Sequence, residues 1–468
     1  MNHKVLWTFV ISSVAVFMVT LDNLVVTTAL PVIRTDLDAG LSGLEWTVNA
    51  YTLTFAVLLM TGAALGDRLG RRRMLVVGLS IFTLASAAAA LAPSIAALDV
   101  ARAVQGVGGA LTMPLTLTIL SAAVSPARRG LAFGVWGGIS GLAVAFGPVV
   151  GGAVVSGISW HWIFWLNVPI GLALIPLAVL RLDETHGPSG KLDLPGLALV
   201  STGLLGIVWG LVRGNSVGWA SAEIVGSLVA GALLVAAFVA WERRTAEPML
   251  RLEFFRNRTF SLANTASLLM SFGMFGSIFF LSQFFQTVQG YSPLGSGLRI
   301  LPWTAMPMLV APIAGALSDR IGGQRLMGAG LTLQAAGLAW IAAVSTPTTP
   351  YADLVAPFVV SGIGMSLFFA PVANVVLSSV RPEHEGQASG ANSALRELGG
   401  VFGVAVLAAV FAHVGGYRTA AAFTHGMNVS VWIGAAVVFA GALAAFAIPS
   451  RPRLAQVEQL EPSFEQAA

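Results

Sequence analysis

Repeated apolar length is the feature that most constrains this sequence. Runs of roughly 18 to 27 apolar residues recur from one end of the chain to the other, and each can cross a hydrocarbon core of about 30 Å as a helix. A bilayer offers no water to satisfy stray backbone groups, so helices are the expected element. Fourteen spans are expected. The first seven are 6–31, 45–65, 73–92, 97–121, 130–155, 162–181 and 194–212; the second seven are 221–241, 260–286, 297–317, 326–344, 352–379, 387–411 and 428–448. A short basic start (His3, Lys4) precedes the first span, and no small-residue cleavage site precedes its acid. It reads as a retained helix, not a signal peptide.

Composition agrees: 56% of the 468 residues are hydrophobic and 10% charged, as in a membrane protein. Cysteine is absent, which removes disulfides, thiol catalysis and cysteine-ligated metals. The chain has no phosphate-binding loop, and its six histidines are scattered without metal-ligand spacing. No enzyme, metal or cofactor is therefore expected. Arginine in excess of lysine, with abundant alanine and glycine, points to a high-GC bacterial source.

A net charge of +4 is compatible with nucleic-acid binding, but its distribution is not. With the N-terminus placed in the cytoplasm, 19 of the 25 Lys and Arg fall in cytoplasmic segments, and only Arg34, Arg213, Arg299 and Arg418 face outside. That asymmetry is the positive-inside bias, and it places both termini in the cytoplasm of a bacterial inner membrane. The expected partners are the bilayer and small molecules, with no nucleic acid and a monomeric chain.

"ALGDRLGRRRML" (64–75) is echoed by "ALSDRIGGQRLM" (316–327) at an offset of 252, and "LSAAVSPARRGLAFG" (120–134) by "LSSVRPEHEGQASG" (377–390). Loop chemistry repeated at matching places implies two related bundles. The expected organisation is an N-terminal six-helix bundle (1–181), two inserted helices with a linker (182–259), a C-terminal six-helix bundle (260–450) and a polar, disordered cytoplasmic tail (451–468). The linker "WERRTAEPMLRLEFFRNR" reads as an amphipathic segment at the membrane surface.

Among 21 carboxylates, Asp22 and Glu397 are expected to be buried, while Glu45 and Asp99 fall near the outer interface. An ionised carboxylate at the depth of Asp22 costs about 2.5–3.5 kcal/mol on insertion scales, which suits a proton or cation site. A structural aspartate bonded to a neighbouring helix is the alternative. Arg102, Gln105, Gly106 and Gly109 share one helical face. A buried guanidinium keeps its proton and needs acceptors: Asp22, or backbone carbonyls if Arg102 is only a clamp. Gly134, Gly138, Gly141, Ala145, Pro148 and Gly152 alternate at spacings of 4 and 3, leaving one helix face almost without side chains. In the second half, Asn392, Arg396, Gly399 and Gly403 share a face, with Glu397 about 100° away. Asn264, Ser267 and Ser271 could line a polar cavity together with Gln105, Asn392 and Arg396, or act as glue between helices.

These residues together resemble the major facilitator superfamily, and within it the fourteen-span drug:proton antiporters. The resemblance rests on "LDNLVVTTALP" (21–31), with Asp22 at the acidic position; on the motif from Leu98 to Ala110, with Arg102 at the position implicated in proton coupling; on "GVWGGISGLAVAFGPVVGG" (134–152), similar to the antiporter motif; and on "FFLSQFFQTVQGYSPLGSGLRILP" (279–302). Gly134, Gly138, Gly147, Pro148, Gly151 and Gly152 carry the antiporter motif. Asp67, Arg68, Gly70, Arg71 and Arg72 match the family's loop motif, with Ala63 at its first glycine and Asp319 and Arg320 in its repeat. The resemblance implies alternating access: two bundles rock about a central cavity and export amphipathic or antibiotic-like compounds in exchange for protons, with Asp22, Arg102 and Glu397 in proton coupling. Export of a dedicated metabolite, proton-coupled uptake and a non-transporting sensor are the alternatives. Asp67 and Arg68 are expected to form a latch that holds the outward-facing state, with Asp67 favoured by the positive end of the third helix.

Overall fold

The computed structural model describes residues 3–124, 129–187, 193–381 and 385–449. Among these, every regular element is helical. The expected tail and the loop residues 125–128, 188–192 and 382–384 lie outside the described residues.

Seven spans come from α1 (His3–Asp36), α2 (Leu41–Leu69), α3 (Arg71–Ala90), α4 (Ile95–Ala123), α5 (Arg129–Gly157), the pair α6 (Trp162–Trp165) and α7 (Asn167–Arg181), and α8 (Leu194–Val217). There follow α9 (Ala222–Glu242), α10 (Arg258–Gln283), α11 (Pro293–Thr304), α12 (Met306–Ile321), α13 (Gly323–Val344), α14 (Tyr351–Leu377), α15 (Glu385–Val414) and α16 (Ala420–Phe446). Small polar residues start several of them: Ser94, Ser221, Asn257 and Thr419 each accept a hydrogen bond from a first-turn backbone N–H that the helix itself leaves unpaired.

Thirteen of the described helices are long and apolar enough to cross a membrane. The expected span at 297–317 is the difference. It is broken at Ala305 into α11 and α12, of 12 and 16 residues. Pro302 and Pro307 flank the break, and each removes a helical N–H. The linker after α9 is largely irregular. It holds only a short 3-10 turn, Leu252–Arg256, whose Phe254 is buried, while Glu242 Oε2 accepts from Leu250 N at 3.0 Å.

α1 to α7 pack as one group and α10 to α16 as another, with α8 leaning on both α2 and α15. Leu204, Val208 and Val212 of α8 share an apolar cluster with Leu53 and Val57 of α2 and with Val401 and Ala405 of α15. Gly203 and Gly231 bring α8 and α9 into close contact, a Cβ at either meeting the other's backbone.

The two groups are joined most firmly at the end of the stack farthest from the arginine-rich turn. There Ser282 Oγ donates to Thr27 O at 3.0 Å, Gln286 Nε2 to Thr28 O at 2.9 Å and Leu294 N to Ser156 Oγ at 3.0 Å, while Thr304 Oγ1 donates to Ala145 O at 3.0 Å nearer the middle of α5.

Candidate functional site: a buried carboxylate held by two helices

α1 has 34 residues, so it is about 51 Å long at about 1.5 Å per residue, and Asp22 lies near its middle. Asp22 is 1% exposed and Arg102, on α4, is also 1% exposed. Arg102 Nη1 donates to Asp22 Oδ2 at 2.5 Å. The other carboxylate oxygen, Oδ1, accepts from Gln105 Nε2 at 2.8 Å and from Asn167 Nδ2 at 2.7 Å. Ser86 Oγ on α3 accepts from Gln105 Nε2 at 2.9 Å and from Asn167 Nδ2 at 3.4 Å, and donates to Phe82 O.

Arg102 is held on all sides. Its Nε donates to Thr47 O at 3.1 Å and its Nη1 to Gln105 Oε1 at 2.6 Å, while the guanidinium lies over the Tyr51 ring at 4.2 Å. Charge-assisted bonds inside a bundle are strong because little solvent competes, and the planar guanidinium suits this fork of acceptors. Gly106 lets α4 approach α2 this closely: a Cβ there would stand 2.5 Å from Tyr51 O. The arrangement gives the Asp22 carboxylate three donors and joins α1 to α4 and α7.

A model of the Major Facilitator Superfamily matches residues 12–404 and 303–463. The chain belongs to the Major Facilitator Superfamily. It is 35% identical over 88% of its length to the multidrug resistance protein Stp of Mycobacterium tuberculosis, covering 77% of that protein. It is 34% identical to the tetracenomycin C resistance and export protein of Streptomyces glaucescens, covering 86% of this chain and 74% of that one. Among solved structures it is similar to an auto-inhibited POT family peptide transporter, with a TM-score of 0.70 at 16% identity over 96% and 98% of the two chains. A D-xylose–proton symporter gives 0.68 at 14% identity over 96% and 98%. Like other members of the superfamily, the chain is a multi-pass membrane transporter and not an enzyme.

Within this superfamily fold the other expected site residues are placed as follows. Gln105, expected to line a cavity, is fully buried in the Asp22 network instead. Asn264 and Ser267 are buried glue: Asn392 Nδ2 donates to Asn264 Oδ1 at 3.0 Å and to Ser267 Oγ at 2.9 Å, tying α15 to α10. Ser271 is buried, and its Oγ has no hydrogen-bond partner among the described residues. Arg396 is partly exposed and pairs with Glu397 Oε1 at 3.3 Å. Glu397 is 5% exposed, lies within electrostatic reach of Tyr51, and so faces the first bundle from the second.

Antiporter-motif glycines make two kinds of contact. Cβ atoms built at Gly147 and Gly151 would stand 2.7 Å from Leu24 Cβ and Val25 O, and one at Gly152 would stand 2.7 Å from Leu294 Cα. Pro148 presents its carbonyl to Gly297 of α11. Gly138 has open space beside it. Gly134 lies in α5, but its surroundings fall outside the described residues.

The arginine-rich turn corrects one expectation. Asp67 pairs with Arg71 at 2.8 Å, and Arg68 is exposed. Asp67 is not the acid at the start of α3, because it belongs to the last turn of α2. That place is taken by Glu184, from the segment after α7: Glu184 Oε1 accepts from Arg72 N at 2.9 Å and Oε2 from Arg73 N at 3.3 Å. Arg71 N donates to Thr185 O and Gly187 N to Asp67 O, so these contacts tie the turn to the segment that follows α7. In the repeat, Gly322 has φ +92°, as Gly70 has +107°, and each donates its N–H to a carbonyl four residues back at 3.0 Å. Asp319 and Arg320 end α12, and their side chains lie outside the described residues.

Sequence reasoning missed Asn167, Ser86, Thr47 and Tyr51 in the Asp22 network. Asn167 carried a signal, as an amide interrupting the sixth apolar run. Ser86 and Thr47 carried none that sets them apart from other small polar residues in spans.

Proposed function

We propose that this transporter exports amphipathic, antibiotic-like compounds in exchange for protons, with Asp22 as the acid through which proton and substrate compete. The observation that carries the reading is the buried Asp22 carboxylate, held in the first bundle by the permanently charged Arg102 and by two neutral amides, Gln105 and Asn167. When Asp22 takes a proton, its bonds to Arg102 and to the two amides weaken together, and the helices they join are free to shift. Relatives named for tetracenomycin C export and for multidrug resistance support export as the direction.

The reading takes the arginine-rich turn as cytoplasmic, with both termini on that side and α11 and α12 as one broken fourteenth span. It takes 1–181 and 260–450 as the moving bundles, 182–259 as the inserted hairpin and linker, and the chain as a monomer. Asp22, Arg102 and Glu397 serve proton coupling. The closed far end then corresponds to an inward-facing state. A narrower reading, export of one dedicated compound, draws on relatives named for a single antibiotic, such as the puromycin resistance protein of Streptomyces alboniger.

Purified protein in liposomes tests this with an imposed pH gradient and a panel of amphipathic compounds. Gradient-driven movement of several unrelated compounds supports a multidrug pump. Movement of one alone supports the narrower reading, and none with an active control transporter removes both.

A further inference from the structure

The chemistry assigned to Asp22 leaves a second buried carboxyl without a role. Glu45, near the start of α2, is 2% exposed, and Asn49, one turn on, is fully buried. Glu45 Oε2 and both polar atoms of the Asn49 side chain meet no hydrogen-bond partner among the described residues. Residues 45, 49, 53 and 56 lie on the face of α2 opposite Thr47 and Tyr51, and that opposite face is the one Arg102 occupies. One turn beyond Asn49, Leu53 packs with Val401 and Ala405 of α15. The Glu45 face therefore looks across the seam between the bundles.

Just beyond it lie contacts that close the far end. Arg34 stacks on the Tyr417 ring at 3.5 Å, Tyr417 Oη donates to Gln283 Oε1 at 2.5 Å, and Glu45 is within electrostatic reach of Tyr417. Burial pushes the Tyr417 hydroxyl above the ordinary tyrosine range, against the opposing pull of Arg34, so it stays a donor.

Some polar residues join helices, as Asn392, Asn264 and Ser267 do, and others, such as the buried Ser271 and Gln334, leave polar atoms unpaired among the described residues. Glu45 and Asn49 place an unpartnered carboxyl oxygen and an unpartnered amide one turn apart in an apolar seam. That combination fits an organic cation with an apolar body. We propose that Glu45 and Asn49 form an exit site for the positive charge of an amphipathic organic cation, reached when the Arg34–Tyr417 contact parts. The proposal rests on the export reading and adds a charge preference to it.

Ethidium, a cation, and chloramphenicol, uncharged, serve as paired probes of the full-length protein in liposomes. Glu45→Gln is expected to lower ethidium transport at least tenfold while chloramphenicol transport stays within twofold, with part of the loss recovered in Glu45→Asp. Asn49→Leu should give the same selectivity in weaker form. Equal losses for both compounds, or no loss for either, overturn the site. Ethidium fluorescence on the detergent-solubilised protein separates this from the export reading. If wild type shows no gradient-driven transport but Glu45→Gln still weakens ethidium binding tenfold, the site stands and the export reading falls. If Glu45→Gln binds ethidium as wild type does, the site falls whatever the transport result.

Discussion

At the residue scale, Asp22 has both carboxylate oxygens engaged by donors from α4 and α7, and this fixes what single substitutions should do. Asn167→Leu removes one donor to a buried charge, a loss of about 1.5–3 kcal/mol, and should lower the thermal unfolding midpoint in detergent. Arg102→Lys keeps the charge but cannot reach Asp22, Thr47 O and Gln105 together, so gradient-driven transport should fall at least tenfold with membrane insertion unchanged. An unaltered rate would mean that a point charge suffices there. Asp22 and Arg102 stood out in the sequence because charges are rare in long apolar runs. Their neutral partners did not, since a serine or threonine in a span is commonplace and only tertiary packing says which helix it faces. Gln105 went to a cavity for the same reason, and the burial of Glu45 was hidden by its place in the first turns of a span.

At the element scale, the turn between α2 and α3 is built from three segments. Asp67 stands at the end of α2, where the helix dipole disfavours an acid, and Arg71 compensates it. Glu184 caps α3 from a segment more than a hundred residues later. Glu184→Gln should therefore weaken the turn by about 0.3–1 kcal/mol and speed hydrogen exchange at the first amides of α3. Unchanged exchange at Arg72 and Arg73 would count against the cap. The glycines of α5 make a sharper case. Gly152→Leu has no room against Pro293 and Leu294 of α11, in the other bundle, so it should hold the far end apart and abolish transport. The natural absence of cysteine allows the check: a cysteine introduced at Thr27 should become open to an impermeant maleimide in that variant and stay protected without it. The glycine spacing was legible as a small-residue face, and so was the repeat that puts Gly70 and Gly322 in the same conformation. The break at Ala305 was not, although Pro302 and Pro307 stood on either side of it, because apolar length alone reads the whole stretch as one span.

At the scale of the whole molecule, two helical groups meet firmly at one end, and the buried acid lies in one of them near the middle of α1. The order of thirteen of the fourteen expected spans was legible because a bilayer demands long apolar helices of every chain that crosses it. Which end is closed was not, because closure depends on contacts between helices hundreds of residues apart, such as Gln286 with Thr28. The central claim is that a proton on Asp22 and a substrate compete within this frame. The most direct test measures proton release from the purified, full-length protein when a transported compound is added, comparing wild type with Asp22→Asn. The expected result is substrate-induced release that rises with compound concentration in wild type and is absent in Asp22→Asn. Equal release from both proteins would contradict the account.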